Sequence, residues 1–122
     1  MLYAHWRDVT DWPYRHFTPQ EIACRGTGEL LINDTALTAL DALREELDGP
    51  LTISSAYRSA YHNARVGGAL FGQHRLGAAF DCVLAGREKE TIVRAARAVG
   101  FKGFGLHYRT FVHIDIGKAR TW

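Results

Sequence analysis

Two short apolar stretches carry ionisable residues where a strand would bury them: AAFDCVL at 78–84 and FVHIDIG at 111–117. A carboxylate or imidazole among apolar neighbours is costly to bury unless it is paired or ligates a metal. Strand alternation puts Ala79, Asp81 and Val83 on one face and Phe80, Cys82 and Leu84 on the other. In the second stretch Phe111, His113 and Asp115 share a face, opposite Val112, Ile114 and Ile116. The polar groups therefore need a shared partner. His74 precedes Asp81 by seven residues, and Gly77 would break a helix between them. That predicts His74 on a loop turning at Gly77. Taken singly, Asp81 has a lesser reading as a paired core acid, and a His-x-Asp such as His113–Asp115 is more often a hydrogen-bonded pair than a metal site. Together, His74, Asp81 and His113 supply two imidazoles and one carboxylate, a set that suits one zinc ion with an open fourth position.

The rest of the chain limits the setting. Its 122 residues fit one domain, 1–122. Apolar residues at 47% and charged residues at 23% are ordinary globular usage. Fifteen Lys/Arg against thirteen Asp/Glu give +2, without the concentrated basic footprint that nucleic acid leaves. No apolar run approaches the roughly 18 residues of a membrane helix, which predicts no membrane insertion. Two cysteines make no disulfide scaffold. The opening MLYAHWRDVTDWPYRH has no apolar signal core, which predicts synthesis in the cytoplasm without a signal peptide.

Local patterns predict an α+β fold, with helices and strands mixed but without βαβ alternation. Residues 1–17 are aromatic-rich without a period and read as an arm packed on the domain. Thr18, Pro19 and Glu21 form a helix-start pattern. Ala36, Leu37, Leu40, Leu43 and Leu47 give one apolar stripe, predicting a helix over 34–48, capped by Asn33 or Asp34 and stopped by Gly49-Pro50. Strands are predicted at 51–54, 79–84, 104–107 and 111–116. Ser59 caps a predicted two-turn helix ending at Gly67-Gly68, and a further helix spans 88–99. Cys82 and Cys24 read as packed thiols.

Arg58, in SSAYRS just past a strand end, reads either as a surface cation or as a fixed charge for a substrate carboxylate or developing oxyanion. The set of motifs resembles the zinc D-Ala-D-Ala carboxypeptidase family of clan MD, whose relatives include phage endolysins and the hedgehog signalling domain. The resemblance runs through F-x-x-x-E-x-x-C at 17–24, the helix 34–48, SSAYRS, N-x-x-V-G-G-A at 63–69, H-x-x-G-x-A-x-D, and FVHIDIG followed by Arg120 and Trp122. It implies His74, Asp81 and His113 as zinc ligands and Arg58 as the substrate or oxyanion cation. It also implies a small antiparallel sheet with flanking helices as the floor of a zinc cleft. Two positions depart from many relatives: Gly72 stands where they have Ser, and Thr110 where several branches carry an acidic general base.

With no acid at 110, Asp115 is the remaining candidate, either as base or as the group that orients a ligand. His107, expected on the strand before His113, is the other candidate proton handler, or else a solvated strand-end residue. The resemblance implies a zinc peptidase acting on peptidoglycan stem peptides or cross-links, as a carboxypeptidase or an endopeptidase. Its expected setting is a phage or prophage cell-wall hydrolase, released by a holin or carried with phage tail or virion proteins. The competing reading is a non-catalytic zinc-binding domain of the same fold.

Overall fold

The computed structural model describes residues 1–69 and 72–122. In chain order the elements are β1 (Leu2–Tyr3), α1 (Pro19–Ile22), β2 (Leu30–Leu31), α2 (Asp34–Glu46), β3 (Ile53–Ser55) and α3 (Ala60–Arg65). After these come β4 (Ala79–Val83), α4 (Lys89–Ala98), β5 (Gly103–Gly105), β6 (Phe111–Asp115) and β7 (Arg120–Thr121).

The helices begin where side chains satisfy their free N–H groups. Thr18 and Glu21 form a reciprocal capping box at α1, with Pro19 in the first turn. At α2, Asn33 rather than Asp34 accepts from the Ala36 N–H. Ser59 accepts from the His62 N–H at α3. Glycines in the left-handed region, Gly49 at φ 95° and Gly100 at φ 113°, follow α2 and α4 and turn the chain away.

Five strands form the main sheet in the order β3-β4-β6-β5-β7, antiparallel except that β7 runs parallel to β5. Alternation separates its faces. Phe80, Cys82, Phe104, Val112 and Ile114 point to one side and are at most 1% exposed. They join Leu37, Leu40 and Leu43 of α2 and Ile92 and Ala96 of α4 in one core. Each fully buried side chain of Leu or Phe size contributes roughly 1.5–3 kcal/mol. The opposite face carries Asp81, His113 and Asp115, also buried.

The expected α+β class, capped helices and strand faces are present, and some edges differ. The strand expected at 51–54 is Ile53–Ser55, and that expected at 104–107 is Gly103–Gly105. His107 therefore lies on the β5–β6 connection, not on a strand. The shift arises because β5 pairs with β6 through Gly103 and Gly105, which carry no hydrophobic signal. The β1–β2 pair and β7 are each two residues per strand, too short to show a period. In the 1–17 segment, Tyr14 and Phe17 enter the core and the Trp12 Nε1–H donates to the Phe17 carbonyl. Among the described residues, no helix is long and apolar enough to cross a membrane.

Candidate metal centre

Register brings the polar face together. Asp81 on β4 pairs with His113 on β6, and His113 pairs in turn with Gly105 on β5. On the other side of β4, Ser55 pairs with Asp81 and Ile53 with Cys82, so β3 holds one extra residue there. Such a bulge bends its strand and re-aims the chain beyond it. That chain carries Ala56 and Arg58 to the site.

His74 arrives from outside the sheet. It sits in a single 3-10 turn, Gln73–Leu76, ended by Gly77 at φ 68°. A side chain at Gly77 would be strained, and its Cβ would lie 3.0 Å from the Leu31 carbonyl. The expected turn at Gly77 is thus present. The turn is tied to the β3 exit by the Arg58 N–H donating to the His74 carbonyl at 3.0 Å.

Three donor atoms converge. His74 Nε2 lies 3.2 Å and His113 Nδ1 3.3 Å from the same oxygen, Asp81 Oδ1. All three side chains are 9% exposed or less. Each imidazole is held from behind. His74 Nδ1 is 2.6 Å from the Ala56 carbonyl, and His113 Nε2 is 2.6 Å from Asp115 Oδ2. An acceptor at the back of a ring keeps the proton on that nitrogen and leaves the other as a lone pair. Two lone pairs would then face one carboxylate oxygen, an arrangement that a cation between them resolves. The donor set therefore fits a bound metal ion.

With no cation there, a proton on each ring nitrogen that faces Asp81 would serve in its place. Burial pushes the Asp81 carboxyl up, but hydrogen bonds from His113 and His74 outweigh it and hold the group at about 2. Burial would lower His113, yet its bonds to Asp115 and Asp81 raise it. For Asp115, burial raises and the His113 and Arg120 bonds lower, with a net lowering. Both carboxyls are thus ionised at neutral pH.

Arg58 joins the site at its edge. Its Nε donates to Ser55 Oγ at 3.0 Å and its Nη2 to Asp81 Oδ2 at 3.3 Å. Among the described residues Nη1 has no hydrogen-bond partner, and it faces the Gly68 side of a cleft of about 510 Å³. The cleft is lined by the three donors, Arg58, Asn63, residues 66–69 and 72–73, Tyr108, Phe111, Arg120 and Trp122. Asn63, 3% exposed, shapes the wall by donating to the Ala69 carbonyl at 2.8 Å.

Asp115 is fully enclosed at 0% exposure. It has no surface from which to take a proton from a cleft water, so of its two expected roles the geometry supports orientation of His113. His107 is exposed, sets its ring against Tyr108 at a 36° tilt with centres 4.0 Å apart, and is not among the cleft-lining residues. Gly72 lines the cleft, whereas Thr110 is exposed just before β6. Sequence reasoning gave no role to Tyr108, Phe111 or Trp122, or to Arg120, which grips Asp115. The available signal was the alternation of Gly103 and Gly105, since glycine in a strand marks close approach. A Cβ at Gly105 would meet Tyr108 at 2.9 Å and both His113 and Trp122 at 3.0 Å.

The family model described as Peptidase M15 matches residues 15–115. This chain belongs to the peptidase M15 family. The match takes in all three donors, Arg58, His107 and Asp115, and it stops before Arg120 and Trp122. No curated protein matches the chain. Membership supports a peptidase, and the His–Asp–His cluster, with ligand atoms within 4.8 Å of one another, could hold a metal ion.

Proposed function

We propose that this chain is a zinc peptidase that hydrolyses peptide bonds in peptidoglycan stem peptides or cross-links. The observation that carries the reading is the convergence of His74 Nε2, His113 Nδ1 and Asp81 Oδ1 at the floor of an open cleft. The two nitrogens lie 3.2 and 3.3 Å from Asp81 Oδ1, close to the roughly 3.3 Å between ligands about 2.0–2.1 Å from a tetrahedral zinc, and all three atoms lie within 4.8 Å of one another. Three protein ligands and an open side are the catalytic rather than the structural pattern.

When bound, zinc supplies Lewis acidity, lowering the pKa of a water and polarising a carbonyl. The chain's own residues do the rest. Ala56 and Asp115 keep the two imidazoles turned so that their lone pairs face the cleft. Arg58 steadies Asp81 through Nη2 and offers Nη1 to a substrate carboxylate or a developing oxyanion. Tyr108, Phe111 and Trp122 form an apolar wall along which a peptide is positioned. In its setting the protein is a phage- or prophage-type cell-wall hydrolase, freed by a holin or carried with tail or virion proteins.

Purified murein incubated with the zinc-loaded protein, with product masses read, tests this reading. Release of stem-peptide fragments, absent with His113→Ala, is expected, and the masses name the bond. A second reading keeps metal and peptide binding without turnover. It is favoured by one observation: among the described residues lining the cleft, Asp81 is the sole acid, so no carboxylate is left to act as base. Bound zinc with no product from murein or synthetic stem peptides would select that reading.

A further inference from the structure

Behind His113 lies a second layer built by a strand outside the family match. Asp115 accepts four hydrogen bonds with its two oxygens. Oδ2 takes His113 Nε2 at 2.6 Å and Arg120 Nη2 at 2.9 Å, while Oδ1 takes the Gly117 N–H at 3.0 Å and Arg120 Nη1 at 3.1 Å. The guanidinium therefore grips the carboxylate with both arms of its fork, a geometry that fixes direction as well as position. Nη1 also donates to the Lys118 carbonyl at 3.0 Å. From the other side, Trp122 lies over the guanidinium at 4.5 Å and its ring stands 5.0 Å from that of His113.

Backbone pairing holds this layer in place. The Arg120 N–H donates to Lys102, the Trp122 N–H to Phe104, and the Leu106 N–H to Trp122. Gly103 provides the room, since a Cβ there would run into both Asp115 Oδ1 and the Arg120 guanidinium. A glycine on β5, a buried acid on β6 and an arginine on β7 thus fit one another across three strands.

We propose that Arg120 is a positioning residue for the metal centre: it locks Asp115, Asp115 sets the plane of His113, and β7 thereby controls metal affinity. The inference rests on the metal reading of the site. His74 has no such chain of side chains, because a backbone carbonyl holds it. Of the two histidines, His113 is thus the one oriented through side chains.

The test is zinc affinity, measured by competition with a chromogenic chelator, for wild type, Arg120→Met, Arg120→Lys and, as a control, Arg94→Met. Arg94 pairs with Glu90 on the exposed side of α4. The visible spectrum of the cobalt(II)-substituted protein and the melting of the metal-free protein are read in parallel. Arg120→Met is expected to weaken zinc binding by about 10–100-fold, the range for losing an outer partner of a ligand. Its cobalt bands should shift. Arg120→Lys, with charge but no fork, should recover part of the loss. Adding Asp115→Asn to Arg120→Met should cost little more, because the two act as one unit. Zinc affinity within about twofold of wild type in a folded Arg120→Met protein would overturn the proposal. So would a loss that follows the metal-free melting temperature across the variants with unchanged cobalt bands, since that is packing alone. A wild-type protein that takes up no zinc would instead overturn the metal reading itself.

Discussion

The two faces of β4 and β6 are nearly equally buried and differ in what replaces water. Phe80, Cys82, Val112 and Ile114 are 0% exposed and meet other apolar side chains. Asp81, His113 and Asp115, on the opposite face, are 0–7% exposed and meet one another, His74, Arg58 and Arg120. Among the described residues, no buried side-chain nitrogen or oxygen lacks a partner. An apolar face tolerates any neighbour of suitable shape, whereas a polar face must have every group answered. Stability and chemistry are thus separated by one residue of strand register, and a substitution on one face should leave the property of the other largely intact.

The hardest test of that separation is His113→Ala. It should take bound zinc from about one per chain to near none and abolish turnover, while far-UV circular dichroism stays that of a folded protein. Equal zinc in wild type and variant would break the assignment of this face. Because binding the metal also stabilises the fold, chelation should lower the melting temperature of wild type and leave His113→Ala almost unmoved.

Phe80→Ala probes the other face. Phe80 is fully buried and meets Phe101 edge-on, with ring centres 6.1 Å apart. Its truncation should cost about 3–5 kcal/mol in urea unfolding. The fraction that remains folded should hold zinc with wild-type affinity. A weakened metal site at full folding would mean that the faces are coupled through the strands.

Next in size is Asp115→Asn, which alters the group behind His113 and spares the ligands. Zinc affinity should fall by roughly 10–100-fold, about 1.4–2.7 kcal/mol, and saturating zinc should restore turnover. Turnover that stays down at saturating zinc would give Asp115 a direct part in the chemistry despite its enclosure.

The part of this design that the sequence reveals is the part that repeats. Leu37, Leu40 and Leu43 recur with a helical period, and Asp81 and His113 stand out because charge interrupts an apolar alternation. Thr18 and Glu21 announce a cap by spacing alone. What stays hidden depends on contacts without a period. The Ala56 carbonyl behind His74 is backbone, so no residue type marks it. Arg120 lies on a strand of two residues, and nothing in its spacing from Asp115 indicates that β7 returns beside β5. The enclosure of Asp115, which decides between base and orienting group, follows from packing by Arg120 and Gly103. His107 read as a strand residue because the apolar pattern around Phe104 and Leu106 outweighs two silent glycines.

Arg58→Lys sharpens the comparison at the margin of the polar face. Arg58 is half-buried and contributes Nε to Ser55 and Nη2 to Asp81. Lysine keeps the charge and loses the planar fork, so it cannot hold Asp81 and a substrate group together. Turnover should fall about tenfold or more, about 1.4 kcal/mol of transition-state stabilisation, with the melting temperature nearly unchanged. A large loss of stability at near-normal specific activity would make Arg58 a structural ion-pair partner.

The smallest effect is expected at His107, which tests whether the polar face ends at the cleft wall. Its imidazole is exposed on the β5–β6 connection, and its ring contact is Tyr108, which itself stacks on Phe111 at 4.3 Å. Any influence on the site must therefore pass through the aromatic wall. Removing one exposed stacking partner leaves Tyr108 held by Phe111, so His107→Ala should change kcat/KM by no more than about twofold and leave zinc affinity alone. A proton handler behaves differently: losing it should cost about 100-fold or more and flatten the pH profile of kcat. A fall of that size with normal zinc binding would show that the β5–β6 connection swings His107 into the cleft when substrate is bound. It would also supply the base that the lining residues lack, and so decide against the non-catalytic reading.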